Sequence, residues 1–263
     1  MGWLVFALSP TYRRRFVANA AQAGYGFAEV RAAVGHAGRM VFEMPRIWLG
    51  RLPRCEMVNE ECARQAFARG RGIVFLTPHI GCFEMSVQDA ARRWATEHGD
   101  ITVLYRPARQ AWLAQVLETA RNRRGVSAVP TTLAGVRQMI KSLRKGAAVG
   151  LLPDQVPPQG LGIWSPFFGR EAYTMTLAAR LALQTGAAVI VARCERLSWG
   201  RGYALYLREL PMPGDQTLEA AVARINEAME QTIRECPRQY LWGYGRYKQP
   251  RGEAGGEHKE QVS

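Results

Sequence analysis

Lysine is scarce in this chain: Lys141, Lys145, Lys248 and Lys259 are the only four in 263 residues. Lys and Arg together still number 35 against 22 acidic residues, so the net charge of +13 is carried almost wholly by arginine. The planar guanidinium binds phosphate bidentately where an ammonium acts as a point charge, so this bias suits anionic, phosphorylated partners. Genome composition can produce the same bias, and both readings stay open. The five cysteines, Cys55, Cys62, Cys82, Cys194 and Cys236, show no metal or redox spacing. Their odd number argues against a disulfide scaffold and fits a reducing compartment. Internal repeats and long linkers are absent. No apolar run approaches the ~18 residues needed to span a bilayer. The apolar start, Gly2-Trp3-Leu4-Val5-Phe6-Ala7-Leu8, is short and precedes Arg13-Arg14-Arg15, the reverse of the order in a secretory signal. It reads as an interfacial anchor, as the tail end of a longer membrane segment, or as a helix packing on its own domain.

What is there is the composition of a folded protein: 48% hydrophobic and 22% charged residues, in a length that fits one large domain or two small ones. Residues 11–48 read as helical. Val30, Val34, Ala37, Val41 and Met44 recur at helical spacing, with Gly24 and Gly26 as the break. From Glu56 onward strand-like and helix-like segments alternate. Strands are expected at 73–76, 101–104, 127–129, 147–152, 188–193 and 203–210. Helices are expected at 61–68, 83–96, 110–121, 133–144, 176–184 and 218–235. Such alternation predicts an α/β fold with a largely parallel central sheet flanked by helices. The short link at Ser198-Trp199-Gly200 makes the last two strands an antiparallel hairpin, so the sheet is mixed. The expected organisation is an N-terminal helical, membrane-associated segment (1–50), an α/β domain (51–250) and a disordered tail (251–263).

His79 and Glu84 stand in Thr77-Pro78-His79-Ile80-Gly81-Cys82-Phe83-Glu84, directly after the apolar run 73–76. The order reads as strand, tight turn, helix start. A histidine in the turn can act as a base near neutral pH. A carboxylate one helical turn later can reach back, fix the ring tautomer and stabilise the imidazolium. The bland reading is a hydrogen-bonded structural histidine and a first-turn acid favoured by the helix dipole. Cys82, beside His79, raises a thiol nucleophile as a rival.

In open α/β sheets ligands bind at the carboxyl ends of the strands. Those ends carry His79, then Tyr105-Arg106-Pro107, then Pro153-Asp154-Gln155. With parallel strands, a base, a cation suited to phosphate and a second acid converge on one edge. As structural residues, Asp154 would be a turn or helix cap and Arg106 half of a surface ion pair. The loop 153–170 is long, and its Ile163, Trp164, Phe167 and Phe168 either line a slot for an alkyl chain or fold the loop onto the core. The helix after Thr131-Thr132 carries a basic stripe, Arg137, Lys141, Arg144 and Lys145, with Arg121, Arg123 and Arg124 upstream. The stripe is either a solvated face or a patch for anionic headgroups or an acidic carrier protein.

Taken together, these motifs resemble the late acyltransferases of lipid A biosynthesis, the lauroyl and myristoyl transferase family, over nearly the whole chain from Pro10 to Pro250. The resemblance rests on His79-x4-Glu84, the spacing of glycerolipid-type acyltransferases, and on Tyr105-Arg106-Pro107, Arg123-Arg124-Gly125 and Gly150-Leu151-Leu152-Pro153-Asp154-Gln155. It rests also on Phe167-Phe168-Gly169 and on Pro237-Arg238-Gln239-Tyr240-Leu241-Trp242 followed by Arg246-Tyr247-Lys248. It implies an enzyme at the cytoplasmic face of the bacterial inner membrane. Such an enzyme moves an acyl chain from acyl carrier protein to a hydroxyl of a lipid A precursor, with no metal, no cofactor and no covalent acyl-enzyme. Catalysis is expected from His79 and Glu84, with oxyanion donors among the backbone N–H groups near Gly81. Substrate binding is expected from Arg106, Arg123, Arg124, Asp154, Gln155, Trp164, Phe167, Phe168 and Arg246. Many members carry a histidine between the positions of Trp242 and Arg246, where this chain has Gly243-Tyr244-Gly245. Another lysolipid acceptor therefore stays open, as does a non-catalytic basic lipid-binding module. A nucleic-acid partner is not expected, because no such motif is present and the arginines are spread along the chain.

Overall fold

The computed structural model describes residues 1–105, 125–250 and 252. The N-terminal layer consists of α1 (Gly2–Leu8), α2 (Pro10–Gln22), the short α3 (Phe27–Val30) and α4 (Ala32–Leu49). Then follow β1 (Cys55–Val58), α5 (Glu60–Ala68), β2 (Ile73–Leu76), α6 (Phe83–His98), β3 (Ile101–Tyr105) and β4 (Val126–Pro130). The second half contains α7 (Leu133–Arg144), β5 (Ala148–Leu151), the hairpin β6 (Gly162–Phe167) and β7 (Arg170–Met175), α8 (Leu177–Thr185), β8 (Ala188–Arg196), β9 (Tyr203–Leu210) and α9 (Leu218–Glu235).

Among the described residues the main sheet has seven strands in the order β1-β9-β8-β2-β5-β3-β4. Every neighbouring pair is parallel except β8 and β9, which form the expected antiparallel hairpin. The mixed, largely parallel α/β fold is therefore as the pattern predicts. Strand β1 is an addition: its Cys-Glu-Met-Val run is too short to stand out before the sheet is known.

Strand alternation divides the core. Ile73 and Phe75 of β2 pack with Met85, Ala90 and Trp94 of α6, while Val74 and Leu76 face the opposite layer of α7, α8 and α9. That second layer also takes Phe16 and Ala20 of α2 and Val34 of α4, so the N-terminal helices share the domain's own core. Helix α1 crosses α4 so closely that a Cβ on Gly38 would sit 2.4 Å from the Gly2 backbone nitrogen. No described helix is long and apolar enough to cross a membrane. The loop expected over 153–170 contains the β6–β7 hairpin instead. The helix expected at 110–121 and most of the tail lie outside the described residues.

Candidate active site

Register sets the site. Strands β2 and β5 are parallel neighbours whose last residues pair, Leu76 with Leu151. His79 and Asp154 each lie three residues past that pair, so they leave the same sheet edge at equal height. Asp154 grips His79 twice: one carboxylate oxygen lies 2.7 Å from ring Nδ1 and the other accepts the His79 backbone N–H at 2.9 Å. A carboxylate can only accept here, so Nδ1 carries the proton and the lone pair is on Nε2. Gln155 Nε2 lies 3.0 Å from that nitrogen and donates to it.

Asp154 has 2% of its side chain exposed. Burial alone would raise its pKa; the neighbouring His79, two hydrogen bonds from it and the nearby Arg246 outweigh that and hold it below the ordinary value. Tyr240 is buried near Asp154, and burial followed by that carboxylate's charge pushes the phenol well above its usual range.

Sequence reasoning gave Glu84 the task of holding the imidazole. In the structure Asp154 holds Nδ1, and Glu84 accepts from Trp48 Nε1 of α4 at 3.2 Å. Glu84 stands in the first turn of α6 and lines the same cavity as His79. The physical reason is register: the strand-end acid reaches the ring along a hydrogen-bonded edge. The N–H groups of the turn are also committed. Ile80 donates to Pro78 O, Gly81 to Gln239 O and Cys82 to Cys194 O, so these three N–H groups are not free for an oxyanion. Gly81 sits at φ 55, and a Cβ there would lie 1.8 Å from Cys194 O, so only glycine fits. Cys82 is 2% exposed and burial pushes its thiol up to about 12, which removes it as a thiolate nucleophile.

A cavity of about 460 Å³ opens beside His79. It runs between the sheet and α6, walled by Phe83 and Val87 of α6 and by Val103, Gly150 and Leu207 of the strands. Both ends of β3, Ile101 and Tyr105, line it. Four residue steps of a strand make that run about 13 Å.

The other expected contacts fall elsewhere. Phe167 and Phe168 are core residues, 2% and 5% exposed, and Trp164 is 45% exposed against Tyr173 on the hairpin, so these aromatics do not wall the cavity. Arg246 is 2% exposed and donates to Tyr173 O and Thr174 Oγ1, a buried anchor and not a surface contact. Burial lowers its pKa from the usual arginine value. The stripe Arg137, Lys141, Arg144 and Lys145 is exposed and lines a shallow groove with Ile140 and Gln184. Arg106, Arg123 and Arg124 lie outside the described residues.

Three framing contacts were not foreseen. The C-terminal segment 239–241 pairs with the His79 turn, Leu241 N–H donating to His79 O at 3.1 Å and Gly81 N–H to Gln239 O at 3.0 Å. Tyr244 Oη accepts from Val156 N–H, next to Gln155. Asn19 of α2 donates to the carbonyls of Trp242 and Tyr244 at 2.6 Å each. Tyr240 and Tyr244 lie in the C-terminal motif region, which was the one available signal.

Comparison with known proteins adds the lineage. A family profile described as bacterial lipid A biosynthesis acyltransferase matches residues 29–249. The lipid A biosynthesis lauroyltransferase of Escherichia coli (strain K12) is 29% identical over 196 residues, 73% of this chain and 61% of the relative. The palmitoleoyltransferase of the same organism is 31% identical over 153 residues, 57% of this chain and 49% of the relative. A lipid A biosynthesis acyltransferase of Haemophilus influenzae (strain ATCC 51907 / DSM 11121 / KW20 / Rd) is 24% identical over 190 residues, 72% and 58% respectively. The chain thus spans about half to three fifths of the length of these relatives. With the profile covering most of its length, the chain belongs to the bacterial lipid A biosynthesis acyltransferase family.

Proposed function

We propose that this chain is an O-acyltransferase. It moves a fatty acyl group from an acyl carrier protein thioester to a hydroxyl of a lipid A precursor, at the cytoplasmic face of the bacterial inner membrane. The observation that carries this reading is the His79–Asp154 pair at the mouth of an apolar cavity. A cavity about 13 Å long beside a general base has room for a medium-length alkyl chain with its thioester at the His79 end.

In the proposed step the acceptor hydroxyl displaces the Gln155 amide from His79 Nε2. The hydroxyl oxygen attacks the thioester carbon as Nε2 takes its proton. Asp154, already ionised and hydrogen-bonded to Nδ1–H, stabilises the imidazolium. The tetrahedral intermediate collapses, the C–S bond breaks and the thiolate recovers the proton from His79. No acyl-enzyme forms and no cofactor takes part. With the N–H groups of Ile80, Gly81 and Cys82 occupied, the Gln155 amide, already at His79 Nε2, is the proposed donor to the oxyanion. Glu84, held by Trp48, adds negative charge to the cavity wall near the imidazolium. Arg106, Arg123 and Arg124 remain the proposed phosphate contacts.

The test is transfer itself: purified protein, carrier-protein thioesters and lipid A precursors or other lysolipids, with product masses read out. His79→Ala should lose at least ~100-fold in turnover while the protein stays folded. Near wild-type transfer by that variant would overturn the mechanism.

A further inference from the structure

Several surfaces outside the site expose apolar side chains, among them α1 with Trp3, Leu4, Val5 and Leu8, and two others stand against one another. On α4, Val41, Phe42 and Leu49 point outward, Phe42 at 67% and Leu49 at 66% exposure. Arg39 and Arg46 are exposed on the flank of the same helix face, at a spacing of two turns. At the turn between β8 and β9, Trp199 is 96% exposed and sits in left-handed backbone at φ 59. That turn stands against α4. Arg196, at its entry, donates through Nε to both oxygens of Glu43 on α4, at 2.7 and 2.8 Å. Tyr203, at its exit, donates to Arg54 O at 3.0 Å.

Arg39 and Arg46 lie beside the apolar residues of α4, Arg51 and Arg54 follow that helix in the chain, and Arg201 lies two residues past Trp199, all five exposed. None of these five forms an ion pair among the described residues. A bare indole on strained backbone adds nothing to folding, so a partner is the better account of it. Indole rings settle at the headgroup level of a bilayer. Arginines beside them lay their stems along apolar surface and put their charge on phosphate. A second copy of the chain would set five unpaired arginines against the same five.

We propose that the outer face of α4 and the Trp199 turn form one rim that seats on an anionic lipid bilayer. This rests on the proposed lipid acceptor and specifies which face meets it. Trp48, adjacent to Leu49, lines the cavity and holds Glu84, so seating this rim brings the cavity mouth to the headgroups from which the acceptor hydroxyl is presented.

The test uses the whole chain with phosphatidylglycerol and phosphatidylcholine vesicles. Co-sedimentation should favour phosphatidylglycerol. The exposed triple variant Phe42→Ser/Leu49→Ser/Trp199→Ser should keep its melting curve and bind about tenfold more weakly. Arg46→Glu with Arg201→Glu should weaken binding by a similar factor at low salt, with the difference fading at high salt. Brominated phospholipid should quench a component of fluorescence that Trp199→Phe removes. Unchanged vesicle binding by the triple variant, with no Trp199 quenching, would overturn the rim and leave the reaction standing. Concentration-dependent dimers, or retention of an acidic carrier protein, that disappear in the triple variant while vesicle binding persists would also overturn it. Absence of vesicle binding by the wild type would do the same, while transfer to detergent-dispersed acceptor tests the reaction separately.

Discussion

A carboxylate as buried as Asp154 would ordinarily keep its proton, and here it does not, because His79 and Arg246 face it from two sides. Its folded pKa lies below its unfolded value. The unfolded chain therefore binds the extra proton, and the stabilisation is complete above the ordinary carboxylate range and lost as pH falls through and below about 4. The melting-temperature gap between wild type and Asp154→Asn should be widest near pH 7 and narrow at pH 3–4. A gap constant over that range would assign the loss to packing alone. Turnover of Asp154→Asn should drop on the order of 10³–10⁴-fold, since the amide no longer fixes the tautomer or supports the imidazolium. Both His79 and Asp154 were legible as residues at strand ends. Their pairing was not, because the four-residue gap to Glu84 is visible along the chain. The equal offset of His79 and Asp154 from Leu76 and Leu151 has meaning only once β2 and β5 are known to be neighbours.

Elements carry the substrate dimensions. Glycine in the middle of a central strand weakens it unless something must come close. At Gly150 of β5 a Cβ would meet only side-chain atoms, Val103 Cγ1 at 3.1 Å and Val87 Cγ2 at 3.8 Å, so no backbone contact demands glycine. What a side chain there would remove is cavity, since Gly150, Val87 and Val103 are all its wall. Gly150→Val should therefore cut transfer of long acyl chains by more than tenfold relative to short ones, read by competing thioesters of different length. Equal losses for all lengths would place the acyl chain elsewhere. Helix α7, capped by Thr132 on Gly135 N–H, runs from the site edge of the sheet towards the opposite edge. If its stripe docks the carrier, Arg137→Glu should raise the donor KM more than Lys145→Glu, and equal effects would point to diffuse steering alone. The helices and strands of this half were legible from periodicity. The β6–β7 hairpin was not, because Pro157, Pro158 and Pro166 mask it; a hairpin paired only with itself leaves Pro166 an edge on which to miss its hydrogen bond.

At the scale of the whole molecule the two loops of the candidate site are held by the chain's far ends. Asn19 reaches the carbonyls of Trp242 and Tyr244, more than 220 positions away. The segment so fixed pairs with the His79 turn through residues 239–241 and caps the Gln155 loop through Tyr244 Oη. No local pattern announces such contacts, which is why the C-terminal motif was legible as a motif but not as a frame. Asn19→Ala leaves two carbonyls without their donor, a loss of about 1–3 kcal/mol where the groups are buried. The frame should then open more often without global unfolding. Amide exchange at Gly81 and Leu241, whose N–H groups bond Gln239 O and His79 O, should accelerate about tenfold or more. Amides in α5, whose Ala63, Ala66 and Phe67 pack in the other core layer, should be unaffected, and kcat should fall with donor KM little changed. Tyr244→Phe should give the milder version, with exchange rising at Val156. If kcat falls while the Gly81 and Leu241 amides exchange as in the wild type, the ends of the chain do not hold the His79 turn, and the turn's own hydrogen bonds to Asp154 and Cys194 suffice.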